Sequence, residues 1–234
     1  METSFIENPI FLLFCTFALY SLAKYVQVKT KILLLSPIPV TIVLVILFLE
    51  LLDIRYETYN ESGQFVSFWM QPAVVALGVP LYLQLDRIKK QLIPILLSQL
   101  VGCVVGVLSV VFIAQALGAS KEVILSLASK SVTMPISMEV TRIVGGLPSL
   151  TAAAVACVGI FGGMFGFQLF KLFRLDSGIA QGLAMGTASH ALGTSVVMER
   201  SPSCAVYSSL GLTINGVLTA LITPTLLEWL GLLA

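Results

Sequence analysis

Apolar stretches near residues 8–26, 32–52, 65–84, 92–117, 122–141, 149–173, 178–198 and 204–232 dominate this sequence. Crossing a bilayer takes a helix of about 20 apolar residues, and each stretch is close to that length. Hydrophobic residues make up 57% of the chain and charged residues 11%. Mean hydropathy is +0.99. A soluble domain of 234 residues cannot hide that much apolar surface in one core. The composition therefore specifies an all-α, polytopic integral membrane protein of about seven or eight transmembrane segments. Connections are short, so residues 1–234 are expected to form a single membrane domain. The net charge of +1 gives no case for nucleic acid. The first eight residues are acidic, unlike a secretory leader, so the first apolar segment is expected to stay as a helix. The four cysteines form no CxxC pair and no set with the single histidine, so neither metal nor cofactor is expected.

Two of the segments are broken by polar residues. The fifth carries Ser129-Lys130-Ser131-Val132-Thr133-Met134-Pro135 in its middle. A lysine at that depth costs at least ~3 kcal/mol and persists when paired, hydrated or used. The seventh carries Gly186-Thr187-Ala188-Ser189-His190-Ala191-Leu192-Gly193-Thr194. Each is read as a helix interrupted near Thr133 or near His190, either crossing fully or re-entering. The two breaks are expected to face each other. Non-helical backbone at membrane depth is tolerated where protein or a water-filled cavity covers it, and both layouts meet that condition.

Charge in the loops bears on orientation. Lys24, Lys29 and Lys31 follow the first helix, Asp53, Glu57 and Glu61 make the next loop acidic, and Arg87, Lys89 and Lys90 make the third basic. The positive-inside rule puts the basic loops in the cytoplasm. Lys171 and Arg174 then fall inside only if the broken segments re-enter. The chain also resembles itself. Residues 79–88 align without gaps to 134–143, and a fainter copy runs through Ser195–Arg200. Units of broken plus long helix are a common plan for secondary transporters. Gly102-x3-Gly106, Gly159-x3-Gly163, Gly162-x3-Gly166 and Gly182-x3-Gly186 supply small-residue faces, more readily explained by helix packing than by a dimer seam.

Pro135 lacks an N–H and pushes Met134 out of helical geometry. The half-helix beginning there presents unpaired N–H groups, with Thr133 as its N-cap, and attracts an anion. Ser129, Ser131 and Thr133 add hydroxyls and Lys130 adds a full charge, which together suit a small carboxylate. The competing reading pairs Lys130 with Glu139 or Glu199. His190 is either a hydrogen-bonded structural residue or the carrier of a coupling proton, since imidazole titrates near neutrality. Glu139 and Glu199 are further proton-coupling candidates, or pair with Arg142 and Arg200. Asn215, inside the last long segment, either bridges helices or lines the path.

These blocks resemble the LrgB/CidB family. The resemblance rests on Lys130 to Glu139, Gly145 to Ala152, Gly186 to Thr194 and Asn215 to Ala220, and extends from Ser36-Pro37 to the C-terminus. The family is similar to the C-terminal half of the plant plastidal glycolate/glycerate translocator. The resemblance implies a bacterial inner-membrane protein with a small LrgA/CidA-like membrane partner. Members are described both as antiholin-like modulators of murein hydrolase activity and as carriers of small carboxylates such as pyruvate or 3-hydroxypropionate. Met134 departs from the second threonine expected after Thr133 in many members, which bears on substrate identity.

The expectation is a lipid-embedded, non-enzymatic carrier of small monocarboxylates or hydroxycarboxylates such as pyruvate, glycolate or 3-hydroxypropionate, with or without a proton, self-associating into a homo-oligomer. Its substrate site would draw on Ser129, Lys130, Ser131, Thr133, Pro135, Thr187, Ser189, His190, Gly193, Thr194 and Asn215. The alternative is an antiholin-like modulator without transport of its own.

Overall fold

The computed structural model describes residues 5–30, 35, 37–69, 72, 75, 79, 82, 85–200 and 202–233, without the side chains of 87, 88, 90, 199, 200, 202 and 203. Among the described residues the regular structure is helical throughout, with no strand. Two compact units emerge, Met1–Val75 and Ala76–Ala234.

In the first unit, α1 (Pro9–Thr30) packs against α2 (Pro37–Leu51) and α3 (Tyr56–Ser67). The Thr16 and Tyr59 hydroxyls meet at 3.1 Å and tie α1 to α3. The stretch read as an acidic loop is thus largely helix. Arg55 provides an extended residue ahead of α3, and Glu57 in the first turn complements the positive end of the helix dipole. The fifteen residues of α2 span only ~22 Å at 1.5 Å per residue.

The second unit contains α4 (Leu85–Lys90), α5 (Leu92–Ala116), α6 (Lys121–Leu127), α7 (Met134–Val144), α8 (Pro148–Leu172), α9 (Gly178–Arg200) and α10 (Pro202–Trp229). Among the described residues, four helices are long and apolar enough to cross a membrane: α1, α5, α8 and the Cys204–Trp229 part of α10. The protein is therefore a helical membrane protein. The expected segment 65–84 begins in the last turn of α3 and then falls largely outside the described residues. Residues 80, 81, 83 and 84 of the first repeat copy, 79–88, also lie outside them. Segment 122–141 is divided into α6 and α7, and α9 bends sharply within its length.

A plan of broken helix, short link and long helix occurs twice in this unit. The α6–α7 pair leads through residues 145–147 into α8, and the kinked α9 is followed by α10. The first link follows from its sequence. Gly145 ends α7 in the left-handed conformation (φ 81°), and the Gly146 N–H returns to the Thr141 carbonyl at 2.9 Å. Pro148 then opens α8, where a missing N–H does no harm. The largest buried cluster joins Val107 and Val111 of α5, Ile124 and Leu125 of α6, Val144 of α7 and Leu227 of α10.

Helices α9 and α10 approach closely along glycines. A Cβ on Gly186 would run into the Ser208 carbonyl oxygen, and one on Gly211 would lie 2.8 Å from the Leu183 carbonyl oxygen. Small residues let backbones meet in this way where lipid offers no hydrophobic drive to association.

Candidate functional site at two helix breaks

The first break lies between Leu127 and Met134, where the sequence placed it. Pro135 stands in the first turn of α7, and Thr133 occupies the N-cap position with extended backbone (φ −61°, ψ 147°). The Thr133 hydroxyl does not cap the helix. Its oxygen is buried without a hydrogen-bond partner. Lys130 sits in the turn. Its Nζ donates over long distances, 3.4 Å to the Gly106 carbonyl of α5 and 3.5 Å to the Ser131 hydroxyl. Among the described residues no carboxylate pairs with it. Glu139 instead accepts from Arg142 at 3.2 Å on an exposed face, and the Glu199 side chain lies outside the described residues.

Ser129 serves a different purpose from Lys130. Its Oγ lies 3.1 Å from the Ser137 carbonyl and 2.9 Å from the Ser137 hydroxyl, and Ser137 donates to the Ser129 carbonyl at 2.8 Å. Thr151 Oγ1 of α8 lies 2.8 Å from both the Ser126 carbonyl and the Thr141 hydroxyl. Ser126 Oγ in turn accepts from the Leu147 N–H at 2.7 Å. Broken backbone frees polar groups that need internal partners in a membrane, and this buried chain of hydroxyls supplies them across α6, α7 and α8.

The second break is at His190, whose backbone takes φ 42° and ψ −138° inside α9. Left-handed φ costs a non-glycine residue about 1–3 kcal/mol and requires support from its surroundings. That support is visible. The His190 Nε2 donates to the Val155 carbonyl of α8 at 2.9 Å. Gly159 makes room for the ring, since a Cβ there would lie 2.6 Å from the His190 Cε1. Thr194 Oγ1 donates to the His190 carbonyl and contacts the Ser208 hydroxyl, both at 2.8 Å. Ser189 is buried against Gly162, where any Cβ would overlap its hydroxyl, and Gly193 lets Met185 and Ser189 close in.

Helix α5 brings the surroundings of the two breaks together. Gln99, only 2% exposed, accepts from the Thr187 hydroxyl at 2.7 Å. The carbonyl of Thr187, in the last turn before the kink, accepts from Asn215 Nδ2 of α10 at 3.0 Å. A half-helix leaves its final carbonyls without intrahelical donors, and Asn215 serves one of them. Ser131, Gln99 and Thr187 line one cavity of about 670 Å³, whose other walls are mainly apolar residues of α5 and α9. Next to it, Ser129, Ser131, Asn215 and Thr219 line a chamber of about 10 Å³. Gly102, Gly106 and Ser131 border both spaces. A third cavity of about 460 Å³ lies between α8 and α9 and includes Ser189.

Of the expected site residues, Ser131 and Thr187 share the large cavity, and Ser129, Ser131 and Asn215 share the small chamber. Lys130 itself lines none of the three cavities; its Nζ bonds to Gly106 and Ser131, which border both the large cavity and the small chamber. His190, Gly193 and Thr194 line none of the three cavities. Sequence reading missed Gln99, Ser137, Thr141, Thr151 and Ser208. For Gln99 the signal was the polar Ser98-Gln99 pair inside the apolar run 92–117.

A helical membrane protein with two internal breaks, and a half-buried lysine in the first of them that meets no carboxylate among the described residues, is the class this architecture defines. Residues 16–229 match the model of the LrgB-like family, and the chain belongs to that family. It is 35% identical over 198 residues to "Antiholin-like protein LrgB" of Bacillus cereus (strain B4264), covering 85% of this chain and 86% of the relative. The same figures hold for the protein of that name from Bacillus anthracis (strain CDC 684 / NRRL 3495). No solved structure matches.

Proposed function

We propose that this chain is a carrier of small monocarboxylates or hydroxycarboxylates, with Lys130 as the counter-charge for the transported anion. One observation carries the reading: a half-buried ammonium, held among the described residues by a carbonyl and a hydroxyl, whose partners Gly106 and Ser131 line the same cavity as Gln99 and Thr187. Such a charge is expensive in a membrane interior and calls for an anion. The orphaned Thr133 hydroxyl adds an unused donor close to Lys130 in sequence. In this reading α6–α7 and the kinked α9 supply the discontinuous elements around a central site, the arrangement common among secondary carriers. Localisation in a bacterial plasma membrane and a small LrgA/CidA-like partner belong to the same proposal.

The second reading is modulation of murein hydrolase activity without transport, favoured by the antiholin-like name of the relatives. A modulator of that kind has no need of a lysine at a helix break. Counterflow of labelled glycolate, lactate and pyruvate in proteoliposomes, with and without a pH gradient, separates the two. Saturable exchange that Lys130→Ala removes supports the carrier. Absence of exchange for every acid, in protein that has inserted and folded, sinks it.

A further inference from the structure

We infer that Asn215 is a specificity-determining residue that selects substrates bearing a hydroxyl next to the carboxylate over those bearing a keto group. The inference rests on the carrier reading and names which acids that site prefers.

Asn215 is 1% exposed, and its two amide atoms have separate fates. Nδ2 donates to the Thr187 carbonyl at 3.0 Å, whereas Oδ1 is buried with no partner. The amide is not free to rotate by half a turn. A flip would set its oxygen against the Thr187 carbonyl, acceptor against acceptor, and leave that carbonyl without a donor. Oδ1 is therefore a fixed acceptor. An unmet acceptor in a membrane interior is costly, so whatever occupies its surroundings is favoured for donating to it.

The residue borders the chamber of about 10 Å³, together with Ser129, Ser131 and Thr219. That volume suits one oxygen-sized group, not a whole acid. Gly102, Gly106 and Ser131 border both this chamber and the large cavity, and their two glycines leave the partition thin. A carboxylate paired with Lys130 beside Ser131 would place a substituent on its neighbouring carbon close to the chamber. A hydroxyl there donates to Asn215 Oδ1. A keto oxygen has no proton to give. A metal cation is a poorer occupant, because the Lys130 ammonium already lies 3.4 Å from the Gly106 carbonyl at the chamber's edge.

The test uses the full chain in proteoliposomes exchanging labelled lactate against unlabelled lactate, pyruvate or propionate. The three acids share one carbon skeleton and differ in hydroxyl, keto group or neither. Lactate is expected to compete about tenfold or more better than pyruvate and propionate, the asymmetry of a site that must satisfy a buried polar group. In Asn215→Ala the gap is expected to shrink to about threefold or less. Equal competition by all three acids in the unmodified protein overturns the assignment while leaving the carrier reading intact. An undiminished gap in folded Asn215→Ala does the same. If no acid exchanges, the carrier reading falls and this assignment with it. Should the alanine variant not fold, the unmodified protein alone decides.

Discussion

The imidazole Nε2 of His190 and the carbonyl oxygen of Val155 lie 2.9 Å apart, across a contact that Gly159 keeps open. A carbonyl can only accept, so Nε2 carries a proton and the ring pins α9 to α8 at the residue where α9 kinks. Gly159→Ala is expected to push the ring off that carbonyl and destabilise the protein by about 1–3 kcal/mol, the range for overpacking a filled interior. Thermal unfolding in detergent should show the loss, and an unchanged midpoint would refute the pin.

His190→Gln retains an N–H donor at the end of its side chain but loses titration near neutrality. Because His190 lines none of the cavities, the glutamine variant is expected to keep pH-gradient-driven accumulation of substrate. Accumulation lost with substrate-for-substrate exchange preserved would instead make His190 the carrier of the coupling proton. Glu139 is a weaker rival for that part, since it is exposed and paired with Arg142.

Lys130→Ala should lower carboxylate exchange about a hundredfold, corresponding to the ~3 kcal/mol typical of removing one member of a buried charge pair. Membrane insertion should be unaffected or improved, because the charge is a cost to insertion. Lys130→Arg should also transport poorly, since a planar guanidinium does not replace a compact ammonium. Initial rates normalised to inserted protein provide the check, and wild-type rates in the alanine variant would leave Lys130 without a part in transport.

Thr151→Val removes the hydroxyl that links Ser126 to Thr141. Leaving buried polar groups unmatched costs about 1–3 kcal/mol, so the unfolding midpoint should fall. A midpoint unmoved by the change would mean that the hydroxyl chain contributes nothing to holding α6, α7 and α8 together.

Gly186→Ala should be still more damaging, because the added methyl meets the backbone carbonyl of Ser208 rather than a side chain that can move aside. Poor recovery of folded protein, measured by size-exclusion chromatography in detergent, is the expected outcome. Normal recovery would argue against the close α9–α10 approach.

The breaks were legible for different reasons. At Pro135 the backbone chemistry is local: a residue without an N–H and a neighbour barred from helical geometry can end a helix without help. Thr133 accordingly stands at the N-cap, but its hydroxyl does not cap, a detail fixed by the packing around it. At the second break the glycines at 186 and 193 located the region, yet the irregular residue is His190 itself. Those glycines serve close packing, and the strain falls on a side chain held by another helix. Gln99 stood out in the sequence as a polar residue in an apolar run, but its role and that of Thr151 were hidden because they arise from partners 88 and 25 residues away. No spacing rule links them.

The glycine-rich faces also bear on how copies of this protein would meet. Gly159, Gly162 and Gly166 are occupied by His190, Ser189 and Met185, and Gly182 and Gly186 by the backbone of α10. These grooves, of the kind that readily dock one membrane helix onto another, are therefore used up within a single chain. On the faces of α8 and α10 turned away from these contacts, a seam between copies would be made from bulky side chains such as Phe161, Leu169, Val217 and Leu221. Acyl chains can solvate such a surface almost as well as a second protein can. Self-association built on it would then be set by bilayer thickness and lipid type more than by a fitted interface.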